Sequence, residues 1–161
     1  MATKISAGLL LFRRTAGGIE VVLAHPGGPF FKNKDDGAWT IPKGVAEPDE
    51  DLLQRARIEF EEELGIKPPE GAFSIGSVRQ KGGKTVHGWA VEGDLPDKFE
   101  TRSNTFELEW PPRSGKRQSF PEVDQVQFFP LEEAARKINP AQKDFLDRLE
   151  QFLDEKQAGN G

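Results

Sequence analysis

The chain has 161 residues, with 27 acidic and 22 basic side chains and a net charge of −5. That length favours one domain able to bury its own core. The absence of cysteine excludes a disulfide framework and any cysteine-based metal or nucleophile site, and it fits a reducing, cytoplasmic setting. No apolar run approaches the roughly 20 residues of a membrane-spanning helix.

Ile5 to Phe12 reads as a buried strand, and its single preceding lysine and lack of a cleavage-like site argue against a signal peptide. Thr15–Gly18 reads as a turn into a second strand, Ile19 to Ala24, so the two form a hairpin. His25-Pro-Gly-Gly-Pro29 stops that strand, and a polar loop follows. Trp39 to Ile41 reads as a short strand ended by Pro42. Asp51 to Leu64 carries helical periodicity and closes on Gly65, with Asp49 or Asp51 as cap.

Two strands, Ala72 to Arg79 and Thr85 to Val91, flank Lys81-Gly-Gly83. Thr105 to Trp110 alternates apolar and acidic residues, the pattern of a half-buried strand. Pro111 to Arg117 is a basic loop, Val123 to Phe129 a last strand, and Leu131 to Ile138 a short helix. Asn139-Pro140 opens a final helix, whose apolar face is Phe145, Leu146, Leu149, Phe152 and Leu153. The expected organisation is one α/β domain over 1–156, with 157–161 a disordered tail.

The charge is concentrated. Glu47 to Glu63 holds eight acids and two bases, so 17 residues carry −6 and the rest of the chain +1. At about 100° per residue, Leu53, Ala56, Phe60 and Leu64 form the core stripe of the helix. Glu59, Glu62 and Glu63 share an arc beside that stripe, and Glu61 points elsewhere. Like charges four residues apart destabilise a helix, and a hard divalent cation would offset the repulsion.

The stretch GVAEPDEDLLQRARIEFEEELGI, Gly44 to Ile66, closely resembles the Nudix box: glycine, five free residues, Glu, seven free residues, then Arg-Glu-apolar-x-Glu-Glu-x-Gly-apolar. Eight of its nine specified positions match. The order of elements around it is similar to the family too, which implies an α/β/α sandwich with a mixed β-sheet. The resemblance further implies hydrolysis of a pyrophosphate bond in a nucleoside diphosphate-linked molecule, with Mg²⁺ or Mn²⁺ as cofactor. It makes Glu59, Glu62 and Glu63 the catalytic, metal-binding carboxylates and the Gly44 carbonyl a further metal ligand. Trp39-Thr-Ile-Pro-Lys-Gly44 resembles the entry to this box in enzymes acting on dinucleoside polyphosphates, and diphosphoinositol polyphosphate enzymes carry a similar one. Lys43 would there contact phosphate.

Ile58 departs from the pattern, because the family has at that position an arginine that helps hold the glutamates. Arg57 points about 100° away from that position. Arg55, four residues before Glu59, is placed to pair with it and to replace part of the missing support. Glu50 belongs to the motif in a secondary role near the helix start.

Outside the box, Arg113, Lys116 and Arg117 could reach a long phosphate chain, and Arg113 is taken as a substrate contact. Glu107, Glu109 and Glu122 are candidates for an extra metal ligand or general base. Trp39, Phe30, Phe31, Trp89 and Trp110 receive no base contact, and His25 and His87 receive no role.

The expected partner is a small nucleotide, foremost a dinucleoside polyphosphate or a nucleoside triphosphate. A near-neutral remainder offers no general basic surface for nucleic acid, and no membrane partner is expected. The alternative is a non-catalytic Nudix-fold module that binds a nucleotide, a reading that Ile58 favours.

Overall fold

A computed structural model describes residues 4–96 and 99–159, with the side chains of 157–159 left aside. Of the tail expected from 157, residues 160–161 lie outside the described residues, and the backbone of 157–159 continues the last helix.

Strand β1 (Ile5–Thr15) is buried along most of its length because both of its faces are apolar. Ala7, Leu9 and Leu11 point to one side, and Leu10 and Phe12 to the other. β2 (Gly18–Pro26) completes the hairpin, in the register Phe12↔Val21 to Thr15↔Gly18. β3 (Lys43–Val45) pairs antiparallel with the first half of β1, Ala7 lying opposite Gly44.

The described sheet has six strands. β4 (Phe73–Arg79), β5 (Thr85–Glu92), β1, β2 and β8 (Val123–Pro130) run in that order, and β3 adjoins β1. The β1–β5 pair is parallel and the others are antiparallel, so the sheet is mixed. β6 (Thr105–Glu109) and β7 (Arg117–Pro121) form a separate two-stranded ribbon.

Helix α1 (Leu52–Leu64) covers one face of the sheet. Ala56, Phe60 and Leu64 pack on Ala7, Leu9, Leu11, Val22 and Val91. Asp51 caps it by accepting from Gln54 N at 3.1 Å, and Gly65 ends it with φ +80°, a conformation glycine adopts without strain. The opposite face is covered by α2 (Leu131–Lys137) and α3 (Lys143–Gly159). Ala134, Phe145, Leu146, Leu149 and Leu153 meet Leu10, Phe12, Val21 and Leu23 there. Asn139 opens a short 3-10 turn, Pro140–Gln142, that leads into α3. The result is the expected α/β/α sandwich.

Two segments differ from the reading of the sequence. Trp39 and Thr40 form only isolated bridges, to Ile138 and Ala24, and the strand there is Lys43–Val45. Pro42 lacks the N–H that would extend pairing backward, and three residues containing a glycine carry no periodic signal. The basic loop is also shorter, because Arg117 already belongs to β7. That ribbon strand is almost wholly exposed, so no buried alternation marks it.

Candidate active site

Glu59 and Glu63 are four residues apart on α1 and sit at its junction with β3. The close approach at Gly44 fixes that junction: a Cβ built there would fall inside the Glu59 carboxyl group. Only glycine lets the carboxylate lie directly on the strand. Gly44 faces α1, so pleat alternation turns Lys43 to the other side. Its side chain lines a cavity of about 290 Å³ together with Glu63 and Glu122.

Glu63 is 9% exposed, and its Oε2 has no hydrogen-bond partner. Burial, reinforced by the Glu59 charge, pushes its carboxyl up to about 9 against the pull of Lys43. Burial and the Glu62 charge likewise raise Glu59, while Arg55 lowers it. Lys43 is shifted down by its own burial, partly offset by Glu63. These groups form one coupled cluster: like charges at close range in a poorly solvated pocket. Glu62 is half-buried at its edge, and Glu61 is exposed, as the helical wheel requires.

Arg55 enters this cluster as the sequence suggested. Its Nε and Nη2 donate to Glu50 Oε2 at 2.9 and 2.7 Å, and its Nη1 donates to Glu59 Oε1 at 3.2 Å. Glu50 is held in turn by the Glu47 N–H at 2.9 Å. Arg57 faces away, donating to the carbonyls of Pro68 and Pro69 and pairing with Glu70.

Of the three acids considered outside the box, Glu122 lines the cavity and lies close enough to raise both Glu59 and Glu63. Its backbone is pinned on both sides: its N–H donates to Asn104 O at 2.8 Å, and its carbonyl accepts from Gly27 N at 3.0 Å. Asn104 N reaches Glu62 O at 3.3 Å, tying this segment to the end of α1. Glu107 instead faces Arg117 across the ribbon. Arg113 is exposed in the loop at the ribbon tip, five ladder pairs and a loop beyond Glu122, or roughly 17 Å or more along the strands.

Thr40, Gln80, Asn139 and Phe31 complete the cavity wall without having been singled out for it. They come from four separate segments, and no spacing in the sequence joins them.

Hard carboxylate oxygens, an unpartnered buried Oε2 and mutual repulsion among the acids suit a divalent cation in chemical type. Among the described residues, no three acidic or imidazole side chains close into a ready metal cage.

The Nudix domain family matches residues 2–149. The chain belongs to that family. Nudix proteins generally depend on a divalent metal. A diadenosine tetraphosphate (Ap4A) hydrolase of C. elegans, solved as a binary complex, is similar over 95% of this chain and 99% of its own, at 25% identity and a TM-score of 0.65. The Nudix domain of Shewanella oneidensis NrtR, solved with ADP-ribose, matches over 95% of this chain and 90% of its own, at 16% identity and 0.65. A mutT/nudix protein of Listeria innocua matches over 98% of both chains, at 16% identity and 0.64. The last two likenesses concern the fold alone. A search of curated proteins by sequence found no match. Family and fold together make this Nudix protein a pyrophosphohydrolase. No helix among its described residues is long and apolar enough to cross a membrane.

Proposed function

We propose that this Nudix protein hydrolyses a pyrophosphate bond in a nucleoside diphosphate-linked substrate, foremost a dinucleoside polyphosphate or a nucleoside triphosphate. The observation that carries the reading is the cluster itself: Glu59 lying on Gly44, Glu63 buried with a free oxygen, and Lys43 and Glu122 facing one cavity. Likeness at 25% identity to a solved Ap4A hydrolase supports the choice of substrate, as does the Trp39-to-Gly44 entry.

Glu59, Glu62, Glu63 and the Gly44 carbonyl would hold Mg²⁺ or Mn²⁺. Such a cation, when bound, supplies neutralising charge to phosphoryl oxygens and a lowered pKa to coordinated water. Lys43 binds a phosphate oxygen as a point charge. Glu122 accepts the proton of the attacking water, whose oxygen bonds to phosphorus as the P–O bond to the bridging oxygen breaks. Arg55 keeps Glu59 ionised and oriented. Arg113, at the ribbon tip, engages the far end of a long phosphate chain. A cytoplasmic location accords with the lack of cysteine.

Ile58 favours a second reading, a module that binds nucleotide without turnover. Arg55 weighs against it, because a guanidinium does reach Glu59. Incubation with Mg²⁺ and a panel of dinucleoside polyphosphates, triphosphates and nucleotide sugars tests both. Phosphate-bearing products are expected. No turnover on any member, with metal bound, would establish the second reading.

A further inference from the structure

The loop that follows β2 leaves a second cavity, of about 630 Å³, against the β6–β7 ribbon. Its walls are aromatic, from Trp110 and Phe120, and its polar lining comes from Asn33, Gln118, Lys32 and Asp124. We propose that this cleft is a nucleobase site. It rests on the pyrophosphohydrolase reading only for what the base is attached to.

Three observations carry it. First, Trp110 is propped and not buried: Phe30 meets it edge-on, with ring centroids 5.5 Å apart, and Phe30 is itself 60% exposed. Two large aromatics held together at the surface leave indole area for a planar ring to cover, and base–aromatic stacking suits every base. Second, the amides are poised for in-plane recognition. Gln118 Nε2 donates to Trp110 O at 2.8 Å, which orients the side chain and leaves its carbonyl oxygen to accept. Asn33 and the Lys32 ammonium add donors. A cleft meant only for packing would need none of these groups.

Third, the cleft adjoins the acidic cavity. Pro121 lines the cleft, and the next two residues, Glu122 and Val123, line the cavity that holds Lys43 and Glu63. On the other side of the wall, Phe31 lines the cavity and Lys32 the cleft. The wall is held in place by Gly27, where a Cβ would collide with the Pro121 carbonyl. A base in the cleft thus puts its phosphates next to Lys43 and Glu122, and the ribbon becomes the element that selects the substrate.

The test uses metal-free protein and adenosine, so that it does not depend on catalysis. Adenosine should quench tryptophan fluorescence saturably, and ribose 5-phosphate, which lacks a base, should not. By calorimetry Trp110→Leu should bind adenosine about tenfold more weakly, in line with base–aromatic stacking, and should lose the quench. Gln118→Ala, which leaves the aromatic walls in place, should also weaken binding and serves if Trp110→Leu misfolds. In turnover, Trp110→Leu should raise KM for the dinucleoside substrate about as much, leaving kcat unchanged. Absence of adenosine binding to the wild type, or equal binding to both variants, overturns the proposal. Adenosine binding without turnover of any pyrophosphate would sink the hydrolase reading and keep the cleft; turnover without adenosine binding does the reverse.

Discussion

Removing the Arg55 guanidinium while keeping the helix, as in Arg55→Ala, isolates the contact that stands in for the missing box arginine. Arg55 is 21% exposed, and its partners Glu50 and Glu59 are 19% and 13% exposed. The two contacts to Glu50 are the shorter ones, so most of the lost stability belongs to that pair. A charge-assisted bond at partial burial is worth about 1.5–3 kcal/mol. The Glu59 contact, single and 3.2 Å long, falls at the lower end, about 1.5 kcal/mol, or roughly tenfold in an equilibrium constant. Glu59 is already raised by burial and by Glu62, and without Arg55 it moves further up and holds metal less well. The expected result is about tenfold weaker Mn²⁺ binding by calorimetry in apo protein and at least as large a fall in kcat/KM. Adding Ile58→Arg to the variant should restore part of both. Unchanged metal affinity together with unchanged turnover would refute the reasoning, and a fall in melting temperature alone would reduce Arg55 to a structural tie.

Glu62→Gln and Glu63→Gln should each abolish turnover in nucleotide assays while melting as folded proteins; retained activity refutes the metal assignment. Glu63 also predicts a pH effect. Its folded carboxyl stands at about 9 against an ordinary 4.5, so between those values the native state holds a proton that the unfolded chain has released. Metal-free protein should therefore lose stability as pH rises from 5 to 9, by up to about 1.4 kcal/mol per pH unit. Urea melts in EDTA should show that slope, and Glu63→Gln should flatten it; an equal slope in both proteins contradicts the buried carboxyl. Gly44→Ala should displace Glu59 and cost most of the activity with little change in secondary structure by circular dichroism. Phe60→Ala empties a fully buried site between α1 and the sheet and should cost about 3–5 kcal/mol, read as a melting temperature lower by roughly 10 °C.

What the sequence made legible depended on how local each signal was. The box is local: Gly44 to Ile66 holds its glycine, its helix and its three acids in one uninterrupted stretch, and a helical period suffices to put Glu59 and Glu63 on one flank. The Arg55–Glu59 pair follows from the same period. The core strands were equally plain, since β1 is apolar on both faces. Pairings of exposed or very short segments left no such trace. β3 is a strand because β1 offers it a partner, a fact that no property of Lys-Gly-Val expresses. β7 is a strand because β6 lies beside it. Glu122 could not be separated from Glu107 and Glu109 by type; it was distinguished by a hydrogen bond to Asn104, eighteen positions earlier in the chain. Phe31, Gln80 and Asn139 meet around one cavity only through tertiary folding.

The ribbon is fastened to the body at its base, where Glu122 bonds Asn104 and Gly27, and Asn104 in turn touches Glu62. Its hinge and its acidic contribution to the cavity are thus the same residue. A tilt of the ribbon moves Glu122 relative to α1, whereas Glu59 and Glu63 ride on a helix packed into the core. Glu59 and Glu63 therefore belong to the most stable part of the molecule, and Glu122 to the base of an appendage whose amides should exchange with solvent far sooner. Amide exchange across β6 and β7, followed with and without nucleotide, would read that lever directly.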